Sequence, residues 1–191
     1  FTIVAGAAGA TTMTTTDAAG VAAHFEVAAD GNITLDAAAN ISLESGGTSA
    51  NHVSIDHRKF TKTSTTDGDA VGDIVYFGGT ASMTIGAIYH YKSDGTWELA
   101  DADAASTSDG LLAVALGEES DGGGMLLRGT VTLDHDPGAV GDVLYLSTTA
   151  GDSSATAPSA TGDVVRIIGY CLDASNGQIW FNPDSTFVEI S

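Results

Sequence analysis

Between residues 21 and 56 apolar side chains recur in pairs: Phe25 and Val27, Ile33 and Leu35, Ile41 and Leu43, Val53 and Ile55. The first three pairs are eight residues apart, and the fourth follows after twelve, an octad plus a four-residue insertion. Two apolar residues separated by one polar residue lie on one face of a strand. The polar residues are Glu26, Thr34, Ser42 and Ser54, and an acid follows in three units, Asp36, Glu44 and Asp56, with Ala28 in that place in the first. A unit that buries only two sizeable side chains has no core of its own. It becomes stable when copies wind about a common axis. The pattern therefore predicts a short trimeric β-prism or β-helix shaft in which each chain covers the edges of the others.

Residues 1–20, almost entirely Ala, Gly and Thr, read as a linker or arm. Phe1 is not a Met, and no basic start or long apolar stretch of a signal peptide follows it. We read it as the visible start of a longer chain or as a processed end.

Residues 57–191 read as a second region with an internal duplication. Ala70-Val71-Gly72-Asp73-Ile74-Val75-Tyr76-Phe77 matches Ala139-Val140-Gly141-Asp142-Val143-Leu144-Tyr145-Leu146. Residues 109–116 parallel 163–170, and 124–129 parallel 177–182. Each half then reads as acidic turn, strand, variable loop, strand, Gly-rich turn, strand. The first half adds a hairpin, Ile88–Tyr91 and Trp97–Leu99 about the turn Ser93-Asp94-Gly95. Ala100–Ala105 lacks an apolar stripe and reads as a loop or single turn, and 147–161 as an exposed loop. The fold class expected is all-β, the shaft leading into a β-sandwich or barrel head.

Charge narrows the function. Six Lys and Arg stand against 25 Asp and Glu, a net charge of -19. Such a chain cannot neutralise a phosphate backbone, so nucleic acid is excluded as a partner. An anionic membrane surface repels it, and no apolar run is long enough to span a bilayer. The acid surplus suits a saline, extracellular setting. The single cysteine, Cys171, permits no internal disulfide and reads as a small core residue.

No catalytic constellation emerges. The five histidines, His24, His52, His57, His90 and His135, form no HExxH pattern, and no GxSxG elbow occurs. Acid pairs such as Asp101 with Asp103 and Glu118 with Glu119 sit in turn sequences, where carboxylates cap backbone groups rather than flank a substrate. Gly122-Gly123-Gly124 lacks the Lys-Ser or Lys-Thr of a phosphate loop and reads as a hairpin tip. We expect no cofactor and no catalytic residue. Ca2+ is the one ion whose chemistry suits the acidic turns, at Asp67-Gly68-Asp69 or Asp134-His135-Asp136. Trp97 and Trp180 read as core, with stacking on a sugar as the other use. Recognition on a rigid β scaffold falls to its loops. The candidates are 92–97, 118–124 and 147–161, with Asp94, Trp97, Glu118, Asp121, Asp152 and Ser154 as representative residues.

The stretch Gly31-Asn32-Ile33-Thr34-Leu35-Asp36-Ala37, followed by Asn40-Ile41-Ser42-Leu43-Glu44, resembles the octad repeat of phage tail-spike β-prisms. The runs 138–146 and 161–169 and the ending Trp180-Phe181-Asn182-Pro183-Asp184 resemble a β-domain of tailed-bacteriophage virion proteins, found on fibres and on capsid decoration proteins. The resemblance implies a non-enzymatic homotrimer located on a virion and in contact with other virion proteins. It implies a tail fibre or spike that attaches to a host surface glycan or protein. A capsid decoration protein or head fibre is the alternative, and an extracellular filament subunit a further one. Family members carry no shared catalytic residues, so none is transferred.

Overall fold

Short β-forming runs closed by glycine turns pair here as antiparallel strands. The computed structural model describes residues 59–191, together with Asp30. The expected arm and octad shaft lie outside the described residues. Eleven strands form: β1 (Ala70–Val75), β2 (Ile88–Tyr91), β3 (Trp97–Leu99), β4 (Leu112–Ala115), β5 (Met125–Thr132), β6 (Val143–Leu146), β7 (Ser153–Ser154), β8 (Val164–Val165), β9 (Ile167–Asp173), β10 (Gln178–Phe181) and β11 (Val188–Glu189). One 3-10 turn, Ala105–Thr107, is the only helical element among the described residues. The fold is all-β, as expected.

Nine strands share one sheet in the order β3-β2-β4-β5-β10-β9-β6-β7, and β1 pairs with β5 off that path. The long strand β5 organises it. One edge of β5 carries β1 from Val75 to Ala70. The other edge is divided, with β4 on Met125 and Leu126 and β10 on Gly129 to Thr132. The sheet therefore forks, and its two arms curl toward each other into a half-barrel. The arms meet through backbone bonds from Ala102 to Ser147, Ile88 to Gly151 and Val164 to Ala102. Between them lies the main core, built on Ile88, Leu112, Val114, Leu126, Val131, Leu144, Leu146, Ile168, Ile179 and Phe181. Ala100 and Ala102 are fully buried in it, because the arms approach too closely there for a larger side chain.

The hairpin expected at 88–99 forms as β2 and β3, with Gly95 at φ 83° closing its turn. The segment 147–161 is not one open loop. It contains β7, and Gly151 is buried against the other arm. The two sequence halves pair differently: β1 lies beside β5, whereas β6 lies beside β9.

Residues 60–64 cross the outer face of the sheet without joining its ladder. Alternate residues on β5 and β10 hold them. Thr130 Oγ1 donates to Thr61 O at 2.8 Å, and Thr132 Oγ1 to Ser64 O at 2.6 Å. Gln178 Nε2 donates to Thr63 O and Ser64 O, and Phe60 packs edge-on against Trp180 with centroids 5.2 Å apart.

Candidate functional site

The β2–β3 hairpin and the loop after the 3-10 turn enclose an open pocket of about 400 Å3 lined by His90, Tyr91, Lys92, Ser93, Asp94, Glu98, Ser106, Asp109 and Gly110. His90 forms its floor and is buried. Its Nδ1 lies 3.3 Å from Glu98 Oε1 and its Nε2 3.0 Å from Asp109 Oδ1. A neutral imidazole donates from only one nitrogen, so both contacts are hydrogen bonds only when the ring carries two protons. At the lip, Asp94 accepts from Thr96 Oγ1 at 2.7 Å, from Thr96 N–H at 3.0 Å and from Lys92 Nζ at 3.0 Å. The Thr96 hydroxyl, then Lys92, hold its carboxyl down at about 2. Asp94 is thus exposed at a recognition loop, but its first role is to close the hairpin turn.

Behind the pocket wall stands Arg166, a buried cation that sequence reading treated as an ordinary strand residue. Its Nη1 donates to Ser108 O, Nη2 to Gly110 O and Nε to Asp184 O, at 2.6 to 2.8 Å. Burial lowers its pKa, and the nearby carboxylates of Asp109 and Asp184 oppose that shift. The signal available was a lone Arg inside the apolar run Val164-Val165-Arg166-Ile167-Ile168 of a chain poor in cations.

A second cluster joins Asp134, His135 and Asp152. His135 Nδ1 lies 2.9 Å from Asp134 Oδ1 and 3.6 Å from Asp152 Oδ1. The spacing would suit a metal ion, but the imidazole is already committed. Ser153 N–H donates to Nε2 at 2.9 Å, which uses the one lone pair of the neutral ring and puts the proton on Nδ1. A metal on Nδ1 would force the opposite tautomer and set two donors against each other. The cluster fits a hydrogen-bonded corner better than a metal centre.

The two turns considered for Ca2+ share one shallow depression, lined in part by Asp67, Asp134 and Asp136. Two of their four carboxylates serve the backbone. Asp69 accepts from Ser64 N–H at 2.7 Å, which keeps its carboxyl below the usual range, and Asp136 accepts from Gly177 N–H at 2.9 Å. Four other aspartates behave alike. Asp121 takes Gly79 N–H, Asp142 takes Ala139 N–H, Asp163 takes Ala160 N–H, and Asp184 takes Thr186 N–H.

Of the representative recognition residues, Glu118 and Asp121 are exposed on the β4–β5 connection. Ser154 lines a hydroxyl-rich depression of about 290 Å3 with Ser147, Thr148, Thr156 and Ser159, and Asp152 stands beside His135. Trp97 is corrected as a recognition residue and agrees with its reading as core. It is 3 % exposed, its Nε1 donates to Phe77 O, and its ring stacks on Phe77 with centroids 5.8 Å apart. The ring fills a small second core and offers no face to a ligand. Trp180 is only half-buried, with the Arg128 guanidinium 5.7 Å above its ring. Cys171 is buried with its Sγ 3.4 Å from Gly138 O, and burial pushes its thiol up. The chain matches no family model, no curated protein and no solved structure.

Proposed function

We propose that this chain is a non-enzymatic structural protein of a bacteriophage virion, a homotrimeric fibre or spike whose head binds a host surface. The octad spacing of apolar pairs at 25–55 carries the reading, because such a segment needs partner chains to bury them. An all-β head after the octads suits a fibre tip. The chemistry of the head supports binding over turnover. Several of its aspartates cap turns, and two of its open depressions are lined largely by hydroxyls and carboxylates. Polar open surfaces of this kind suit hydroxylated ligands such as surface glycans. Three heads on one stalk would multiply a weak single contact through effective concentration.

The test is the native mass of the full chain by light scattering after size exclusion, beside a variant carrying Leu35→Asp and Leu43→Asp. A species near three times 19.2 kDa that the double substitution dissociates is expected. A monomer at micromolar concentration overturns the fibre reading. Glycan arrays and whole-cell binding then address the host surface. Binding to bare capsids instead would move the assignment to a decoration protein.

A further inference from the structure

We infer that His90 is a proton-operated switch in the floor of the β2–β3 pocket: with a second ring proton it holds the Glu98 carboxylate on the floor, and without it Glu98 is released into the pocket. The switch belongs to a single head and does not depend on the trimeric reading. The backbone sets it up. His90 and Glu98 stand directly opposite each other across the β2–β3 ladder, so their side chains project to the same side. The loop before β4 brings Asp109 to the other edge of the ring. His90 is 5 % exposed, so its two nitrogens depend on these neighbours rather than on solvent. Both neighbours are acceptors only when ionised, whereas a neutral imidazole has one N–H and one lone pair. The shorter contact, 3.0 Å from Nε2 to Asp109 Oδ1, takes the N–H. The lone pair of Nδ1 then faces Glu98 Oε1 at 3.3 Å, two acceptors with no proton between them. Glu98 has a way out that His90 lacks: its side chain is 36 % exposed and borders the open pocket. A proton on Nδ1 turns the same contact into a charge-assisted hydrogen bond.

The other groups around the ring do not take over either contact. Tyr91 and Lys92 line the pocket from β2 and the turn, and Lys92 Nζ is held at the lip by Asp94 at 3.0 Å. Arg166 stands behind the loop, its Nη1 and Nη2 bound to Ser108 O and Gly110 O. On β4 the residue opposite His90 is the uncharged Leu112. His135 gives the contrast. Its Nε2 accepts from Ser153 N–H and its Nδ1 lies against Asp134, so one donor and one acceptor suit a neutral ring there. The switch changes what the pocket offers. With Nδ1 bare, Glu98 presents both oxygens as acceptors to a ligand hydroxyl or ammonium group. With Nδ1 protonated, one of them is committed to the ring.

The full chain, labelled with 15N at histidine and 13C at glutamate, is followed by solid-state NMR from about pH 5 to about pH 8, the range in which histidines change charge. Thermal melting at each pH checks that it stays folded. The protonation of both His90 nitrogens is read together with the dipolar contact between Nδ1 and the Glu98 carboxyl carbon. At the acid end, two protonated nitrogens and a strong contact are expected. At the alkaline end, a protonated Nε2, a bare Nδ1 and a contact weakened several-fold are expected. Glu98→Gln, labelled at glutamine, separates a switch from simple packing. Its amide donates to a bare Nδ1 or accepts from a protonated one, so the contact should persist across the range. A native contact that is unchanged while Nδ1 loses its proton overturns the switch. So does a ring whose protonation stays the same wherever the chain is folded, and so does an equal loss of contact in Glu98→Gln.

Discussion

Ala70-Val71-Gly72-Asp73 and Ala139-Val140-Gly141-Asp142 have the same residues in the same order, and they fold differently. The first is strand, lying along β5 with Gly72 opposite Gly129. The second is a turn. Asp142 N–H donates to Ala139 O at 3.0 Å, Gly141 takes φ 90°, and Asp142 Oδ2 accepts from Ala139 N–H at 2.8 Å. A glycine at the third position with positive φ marks a type II turn. The residues around each copy decide the outcome. Beside Gly72 stands a backbone that needs a partner without a Cβ, since a methyl there would run into Arg128 O. Beside Gly141 there is nothing within 4 Å. One glycine is there for closeness, the other for its dihedral angles.

The sharpest way to break the parallel between the halves lies at another aligned pair. Arg166 aligns with Leu112 when 163–170 is set on 109–116, and both are buried. Arg166→Leu would make the halves alike and strand the carbonyls of Ser108, Gly110 and Asp184. We expect a loss of about 4 kcal/mol in chemical denaturation. Next is Gly72→Ala, where overpacking against the β5 backbone should cost about 3 kcal/mol. Its counterpart Gly141→Ala has open space and meets only the left-handed backbone penalty, about 1 kcal/mol. Equal losses at the two glycines would sink the distinction drawn between them. Asp142→Ala removes the bond to Ala139 N–H and should cost about 1 kcal/mol by thermal melting.

The smallest effect belongs to Asp94. Its folded carboxyl titrates at about 2, below the usual 3.8, mainly because the Thr96 hydroxyl favours the charged form. The stabilisation is therefore present above the unfolded value and is lost as pH falls toward 2. Thr96→Val should raise the titration midpoint of Asp94, followed by carboxyl NMR, while leaving the hairpin folded. A midpoint that stays put would show that the hydroxyl is not the cause.

Local signals in the sequence are legible where the chain supplies both sides of a contact within a few residues. The hairpin at 88–99 is of this kind, since Asp-Gly sits between alternating β-formers. The second Ala-Val-Gly-Asp reads as strand because its match to the first outweighs Asp142, whose capping role depends on a turn that alternation does not reveal. Ala100 and Ala102 look like loop residues until the far arm closes over them. His90, Glu98 and Asp109 meet only after β2, β3 and the loop before β4 have packed. The burial of Trp97 likewise depends on Phe77, twenty residues away and on another segment. Arg166 stands 56 and 58 positions from two of the carbonyls it binds, a distance over which spacing carries no signal.

The crossing segment 60–64 has a mechanical consequence. A pull on the chain at Lys59 does not reach the β1 ladder directly. It first loads the hydroxyls of Thr130 and Thr132, the amide of Gln178 and the Phe60–Trp180 contact, anchored on two neighbouring strands in the middle of the sheet. The segment acts as strain relief does on a cable, letting tension applied at Lys59 spread across β5 and β10 before β1 is loaded.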